Sequence, residues 1–226
     1  MDEMALLQGI PLFADMPAEQ LHSLVGALDR RVYGKGQIIL HQGDPGDSLF
    51  VVVSGRVRIY TLSPEGQELS VWICDEGDLF GEMALLTGEP RSACAEAMQP
   101  TEVLILQRQA FRDYLLANPQ AAIHIIETLS RRLRHTTASA EGLMSLSVSQ
   151  RIARKLLELS ERYGVAQDDG VLIDLDLSQE AIATLVGTTR ESANRALGWL
   201  REQGVVQVDR VRIRVLDPER LEDLLA

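Results

Sequence analysis

Asn118-Pro119 opens a helical stretch that runs to about Met144, and this long helix constrains the rest of the chain. Along it Ile123, Ile126, Ser130, Leu133, Thr137, Ala140 and Met144 recur in steps of three and four, the spacing of a coiled-coil seam. A helix this long with no intrachain partner in the sequence pairs with its own copy, so the seam is read as a two-fold axis. The helix also separates two segments of different texture. We therefore divide the 226 residues into 1–118, a helix and serine-rich hinge at 119–146, and 147–226.

The first segment reads as short β-rich runs cut by turn formers. Gln37–His41, Leu49–Val53, Arg56–Thr61, Leu69–Ile73 and Glu102–Leu106 alternate with Gly43-Asp44-Pro45-Gly46-Asp47, Ser54-Gly55, Pro64-Glu65-Gly66 and Glu76-Gly77-Asp78. Strands this short and this closely spaced suggest a sandwich or rolled barrel. Flanking helices are expected at Ala18–Leu28 and near Gln109–Ala117.

The last segment carries a different signal. A helix from about Val148 to Tyr163 and a strand Val171–Leu175 precede Ser178, a good N-cap. Ala181, Ile182, Leu185 and Val186 then line one helical face, and Gly187-Thr188 supplies a tight turn. Thr188-Thr189-Arg190-Glu191 fits a capping box for a second helix with apolar Ala193, Leu197 and Leu200. Helix, glycine turn and helix at this spacing make a helix-turn-helix, and strands Val205–Val208 and Val211–Val215 would form its wing. Arg190, Glu191, Asn194 and Arg195 project from the polar side of the second helix. Arginine can bond guanine bidentately and a carboxylate can accept from cytosine, so these residue types suit the major groove.

Charge and composition narrow the function classes. The net charge of −11 argues against a general nucleic-acid coat, but it is uneven: residues 1–146 hold −8 of it and residues 147–226 hold −3. The arginines of the less acidic part are bunched. No apolar run reaches the roughly 18 residues of a membrane span and the start is acidic, so a cytoplasmic protein is expected. Cys74 and Cys94, twenty positions apart, offer no metal-ligand spacing, and no nucleophile–base pair or paired-carboxylate motif suggests an enzyme.

Between the β-runs lies Phe80-Gly81-Glu82-Met83-Ala84-Leu85-Leu86-Thr87-Gly88-Glu89-Pro90-Arg91-Ser92-Ala93. Glycine allows close backbone approach, and Glu82–Leu86 reads as a short helix whose free N–H groups could seat a phosphate. Arg91 is the one basic residue between Arg58 and Arg108, so it either pairs with an acid or awaits an anion.

Gly81-Glu82 followed by Pro90-Arg91-Ser92-Ala93 resembles the phosphate-binding cassette of cyclic-nucleotide-binding domains. From about Leu6 through Leu225 the chain resembles the CRP/FNR family of transcription regulators. The β-roll glycines, Arg131-Arg132-Leu133, Arg151-Ile152-Ala153 and Gly187-Thr188-Thr189-Arg190-Glu191 all fall in the family's order. The resemblance implies an α+β chain: a jelly-roll-like cyclic-nucleotide-binding β-roll, a dimerisation helix and a C-terminal winged helix-turn-helix. It implies cyclic AMP as allosteric ligand, held by Gly81, Glu82, Met83, Ala84, Arg91 and Ser92, with Thr136 of one subunit and Thr137 of the other meeting the purine. It places double-stranded DNA against Ser178, Gln179, Thr189, Arg190, Glu191, Asn194 and Arg195, on a palindromic TGTGA-like site. An activator's partnership with RNA polymerase is implied too, although Asp29, Arg31 and Ala110 do not match the basic polymerase-contacting positions of the best-known member. Gln179 likewise replaces an arginine, and Thr137 a serine. Inputs other than cyclic AMP stay open: cyclic GMP, cyclic di-GMP, a thiol, no ligand, or haem on one of His22, His41, His124 and His135.

Overall fold

The computed structural model describes residues 7–10, 12–14, 16, 17, 21, 26 and 28–225. The helix expected at Ala18–Leu28 lies almost entirely outside these, and Leu28 itself begins a strand. The chain divides into two compact units, residues 1–67 with 71–134 and residues 68–70 with 135–226. The boundary falls inside the long helix, between Arg134 and His135.

The first unit is a β-roll of two antiparallel sheets. One holds β1 (Leu28–Tyr33), β8 (Thr101–Gln107), β3 (Ser48–Ser54) and β6 (Leu79–Phe80), in that order. The other holds β2 (Ile38–Leu40), β7 (Cys94–Ala97), β4 (Val57–Leu62) and β5 (Glu68–Cys74). Strand β3 shows why a continuous apolar run is needed here. Successive side chains point to opposite faces, so Phe50 and Val52 enter one cluster with Phe80, Val103 and Ile105. Leu49, Val51 and Val53 enter another, with Leu104, Leu106, Phe111 and Tyr114. Both faces of β3 are buried, unlike the alternating strand of a half-exposed sheet.

Among the described residues, two helices lie wholly within the first unit and a third begins in it. α1 (Glu82–Thr87) lies between β6 and β7, and α2 (Arg108–Ala117) follows β8. α3 (Pro119–Ser145) starts on a proline, whose missing N–H goes unneeded in a first helical turn. Its Ala121 and Ile125 are buried in the same cluster as Phe111 and Tyr114. The seam residues Ile123, Ile126, Leu133 and Met144 stay 46, 61, 68 and 91% exposed.

The second unit packs α4 (Val148–Tyr163), α5 (Gln179–Val186), α6 (Arg190–Glu202) and α7 (Pro218–Asp223) with a third antiparallel sheet. That sheet runs β11 (Val206–Asp209), β12 (Arg212–Val215), β10 (Gly170–Ile173) and β9 (Gly164–Gln167). Ile152, Leu156, Ile182, Val186, Ala193, Leu197, Leu200 and Ile213 form its buried interior. The Ser145–Ser147 break is also a cap: the Ser147 hydroxyl accepts from Gln150 N–H and the Gln150 side chain accepts from Ser147 N–H.

Candidate functional sites: a buried arginine cassette and an exposed reading helix

The cassette is assembled from β6, α1 and the loop into β7. Gly81 adopts a left-handed φ of 80°, and its carbonyl turns inward to accept from Arg91 Nη1 at 2.7 Å. Arg91 Nη2 donates to Ser48 Oγ at 3.3 Å, and the guanidinium stands 5.8 Å from the Phe50 ring centre. Arg91 is only 5% exposed, and its buried Nε has no hydrogen-bond partner among the described residues. Burial pulls this guanidinium below its ordinary pKa; Asp47 opposes that, Arg108 adds to it, and Glu82 and Asp44 oppose it.

The turn Gly43–Asp47 clamps the same residue. Arg91 N–H donates to the Asp44 carbonyl and Gly43 N–H to the Arg91 carbonyl, both at 2.8 Å. A Cβ on Gly46 would lie 2.7 Å from Arg91 Nε and 2.6 Å from the Ala84 Cβ, so glycine is required for the guanidinium to lie there. Arg108 secures the other side, with Nη1 donating to the Leu85 carbonyl at 2.8 Å and Nη2 to the Gly46 carbonyl at 2.5 Å. None of Ser48, Gly46 and Arg108 stood out in the sequence; Gly46 read as part of a turn and Arg108 only as the next basic residue after Arg91.

Glu82 is 2% exposed and meets Arg132 Nη1 of α3 at 3.0 Å. Arg132 also donates to the Leu79 carbonyl. Thr136 follows Arg132 by four residues on the same helix, and both Thr136 and Thr137 are solvent-exposed. Met83 is half-exposed and Ala84 is buried, while the exposed Ser92 donates its hydroxyl to Met83 Sδ at 3.5 Å.

The second unit presents a different surface. Ser178 caps α5 by accepting from Ala181 N–H, and Gly187 closes that helix with φ 63° and ψ 56°. Thr189 caps α6, with its hydroxyl accepting from Ser192 N–H at 3.2 Å. The capping box expected at Thr188-Thr189-Arg190-Glu191 is not formed: the third helical residue is Ser192, so Glu191 stands one position too early to return the bond. Glu191 is left exposed, as are Arg190, Asn194 and Arg195. Gln179 Nε2 donates to Asn194 Oδ1 at 2.9 Å, and Arg195 Nη2 to Ser192 Oγ at 3.0 Å. The polar faces of α5 and α6 therefore meet at their N-terminal ends.

Comparison with known proteins agrees with both halves. Residues 30–118 match the cyclic nucleotide-binding domain and residues 150–224 the Crp-like helix-turn-helix domain. The cyclic AMP receptor protein of Thermus thermophilus is 34% identical over 96% of this chain and 98% of its own. The CRP-like cAMP-activated global transcriptional regulator of Mycobacterium tuberculosis is 30% identical over 98% of both. This chain belongs to the CRP/FNR family. Among solved structures, the c-di-GMP responsive global regulator CLP of Xanthomonas campestris superimposes with a TM-score of 0.78 at 26% identity, over 89% of this chain and all of that one. The expected architecture is found: an N-terminal β-roll, a long helix and a C-terminal winged helix-turn-helix. As a CRP/FNR member the chain is a DNA-binding transcription regulator. Among the described residues no helix is long and apolar enough to cross a membrane.

Proposed function

We propose that the chain is a cyclic-AMP-responsive homodimer that binds a palindromic TGTGA-like site and works with RNA polymerase as a cytoplasmic activator. The observation that carries the ligand reading is Arg91. A cation this buried, with one N–H unsatisfied, is costly unless an anion completes it, and a cyclic phosphate supplies both charge and acceptors. Ser92 would add a hydroxyl and a backbone N–H. Glu82 would accept from the ribose hydroxyl with the carboxylate that Arg132 already orients. Thr136 and Thr137, one from each subunit, would meet the purine. The exposed Ile123, Ile126, Leu133 and Met144 give the paired helices an apolar seam, and burying both copies would drive association. Ligand bound across that seam would shift a pre-existing equilibrium toward the spacing that sets two recognition helices about one turn of DNA apart.

Isothermal calorimetry tests the ligand. Micromolar binding of cyclic AMP, lost in Arg91→Leu, is expected; no binding, or binding indifferent to Arg91→Leu, overturns the reading. The likeness to a c-di-GMP responsive regulator supports a second input, so cyclic di-GMP and cyclic GMP belong in the same titration series. A nucleotide that binds through Arg91 in place of cyclic AMP would keep the DNA-binding half of the proposal and replace its signal.

A further inference from the structure

Most of the sulfur described in this chain is shielded from solvent. The thiols of Cys74 and Cys94 are buried, Met16 is buried and Met98 is half-buried. Met144, on the seam of α3, and Met83, which is 48% exposed, are open. Oxidation of a thioether needs an oxidant to reach it, so these two positions are the vulnerable ones. Of the two, Met83 lies in the cassette.

Met83 is the second residue of α1, and its carbonyl accepts from Thr87 Oγ1 at 2.9 Å, one turn on. The backbone is held there while the side chain reaches the loop that enters β7. At that loop the sulfur accepts from the Ser92 hydroxyl at 3.5 Å. A thioether is a weak acceptor, so the hydroxyl is steered by this bond yet readily surrendered to a better partner. Ser92 directly follows the buried Arg91, and its hydroxyl is one of the groups that would hold a cyclic phosphate. An oxidisable sulfur thus holds a hydroxyl that the ligand needs.

We propose that Met83 is a site of reversible oxidation that weakens nucleotide binding by the cassette. The proposal rests on the ligand reading of Arg91 and Ser92. The oxidant is a hydroperoxide. The sulfur lone pair attacks the peroxide's hydroxyl oxygen and forms the S–O bond, while the O–O electron pair leaves with the other oxygen. That oxygen takes the hydroxyl proton, so methionine is oxidised to its sulfoxide and the peroxide is reduced to water or an alcohol. The product is polar where the thioether was apolar. Its oxygen accepts strongly from the Ser92 hydroxyl and sets a partial negative charge beside the anion site. Both changes oppose an incoming phosphate and neither removes Arg91, so binding is weakened but not abolished. Methionine sulfoxide reductases reverse the step.

The test uses the full chain in a Met144→Leu background, which removes the other exposed methionine. Calorimetry measures cyclic AMP binding before hydrogen peroxide, after it, and after treatment with both sulfoxide reductases, while peptide mass spectrometry follows the oxygen gained at Met83. Affinity should fall roughly tenfold on oxidation and return on reduction. Met83→Leu, whatever its own affinity, should bind alike before and after peroxide. Met83→Gln puts a permanent strong acceptor near Ser92 and should bind weakly without any oxidant. Oxidised Met83 with unchanged affinity would overturn the proposal, as would an equal loss in Met83→Leu or a Met83 that peroxide leaves intact. If cyclic GMP or cyclic di-GMP binds through Arg91 in place of cyclic AMP, the same comparison runs on that nucleotide and only the cyclic AMP reading falls. An untreated chain that binds none of the three defeats both.

Discussion

The two units use arginine in opposite ways. In the β-roll, Arg91 is almost fully buried and Arg132 half-buried, and each is held by carbonyls or a carboxylate contributed by distant parts of the chain. In the winged domain, Arg190, Arg195 and Arg210 stand in solvent, held by little more than their own helix or turn. A buried cation is expensive to desolvate, so the roll must build an acceptor for nearly every N–H before a ligand arrives. An exposed one costs little and stays free to take any geometry that DNA offers. The roll's arginines are thus held in place by the protein itself, and those of the winged domain are left free to adapt on contact.

That difference predicts unequal responses to losing one arginine. Arg132→Leu leaves Glu82 buried without its cation, and breaking a pair this buried costs about 3–5 kcal/mol. The double variant Glu82→Gln with Arg132→Leu should recover most of it. Trp72 lies in the roll and Trp199 in the winged unit, so a Trp199→Phe background lets urea unfolding by fluorescence report the roll alone. Equal losses in the single and double variants would show that Arg132 matters for its packing on Trp72 instead.

Next in size is Gly46→Val, which drives a side chain into Arg91 and Ala84 and should cost about 1–3 kcal/mol of roll stability while displacing the guanidinium. Ligand affinity should fall with it, and DNA affinity without ligand should not. Arg190→Ala or Arg195→Ala should do the reverse, leaving thermal stability within about 0.5 kcal/mol. Each should cost about 1–3 kcal/mol at a specific site, with relaxed base preference there. A loss of equal size on random and specific DNA would mean that these residues touch only phosphate.

The same contrast explains what could be read from the sequence. The winged domain obeys local rules: Ser178 caps its own helix, Gly187 closes it, and the apolar spacing of Ala193, Leu197 and Leu200 selects the buried face of α6. Local rules erred by one residue at Thr189, where the chain uses a simple cap instead of a box. The roll obeys distant partners. Strand β1 is mostly exposed and has no alternation to betray it; pairing with β8 and the Arg30–Glu102 ion pair hold it. Arg131 and Arg132 are adjacent and alike, and only the phase of α3 against the roll turns Arg132 inward. The same holds for Gly46, whose need for hydrogen in place of a side chain exists only once Arg91 lies across it.

The smallest effect lies in the winged unit, where α3 meets α4 through an ion cluster. Glu158 accepts from Lys155 Nζ at 2.6 Å and lies 3.2 Å from His135 Nε2. Burial alone would raise its pKa, but the His135 hydrogen bond and the Lys155 charge outweigh that and hold it at about 2. A carboxylate whose folded pKa is depressed contributes stability that is complete above its unfolded value, here 4.5, and lost as pH falls toward 2. With 41% of the side chain exposed, solvent screening reduces this to about 1 kcal/mol. Acid titration of the winged unit's unfolding, followed by Trp199 in a Trp72→Phe background, should show that loss in wild type and not in Glu158→Gln. The Glu82–Arg132 pair in the roll does not contribute to this reporter. An identical acid profile in Glu158→Gln would place the charge sensitivity of the winged unit elsewhere, in the Arg212–Asp174 and Arg214–Asp169 pairs of its wing.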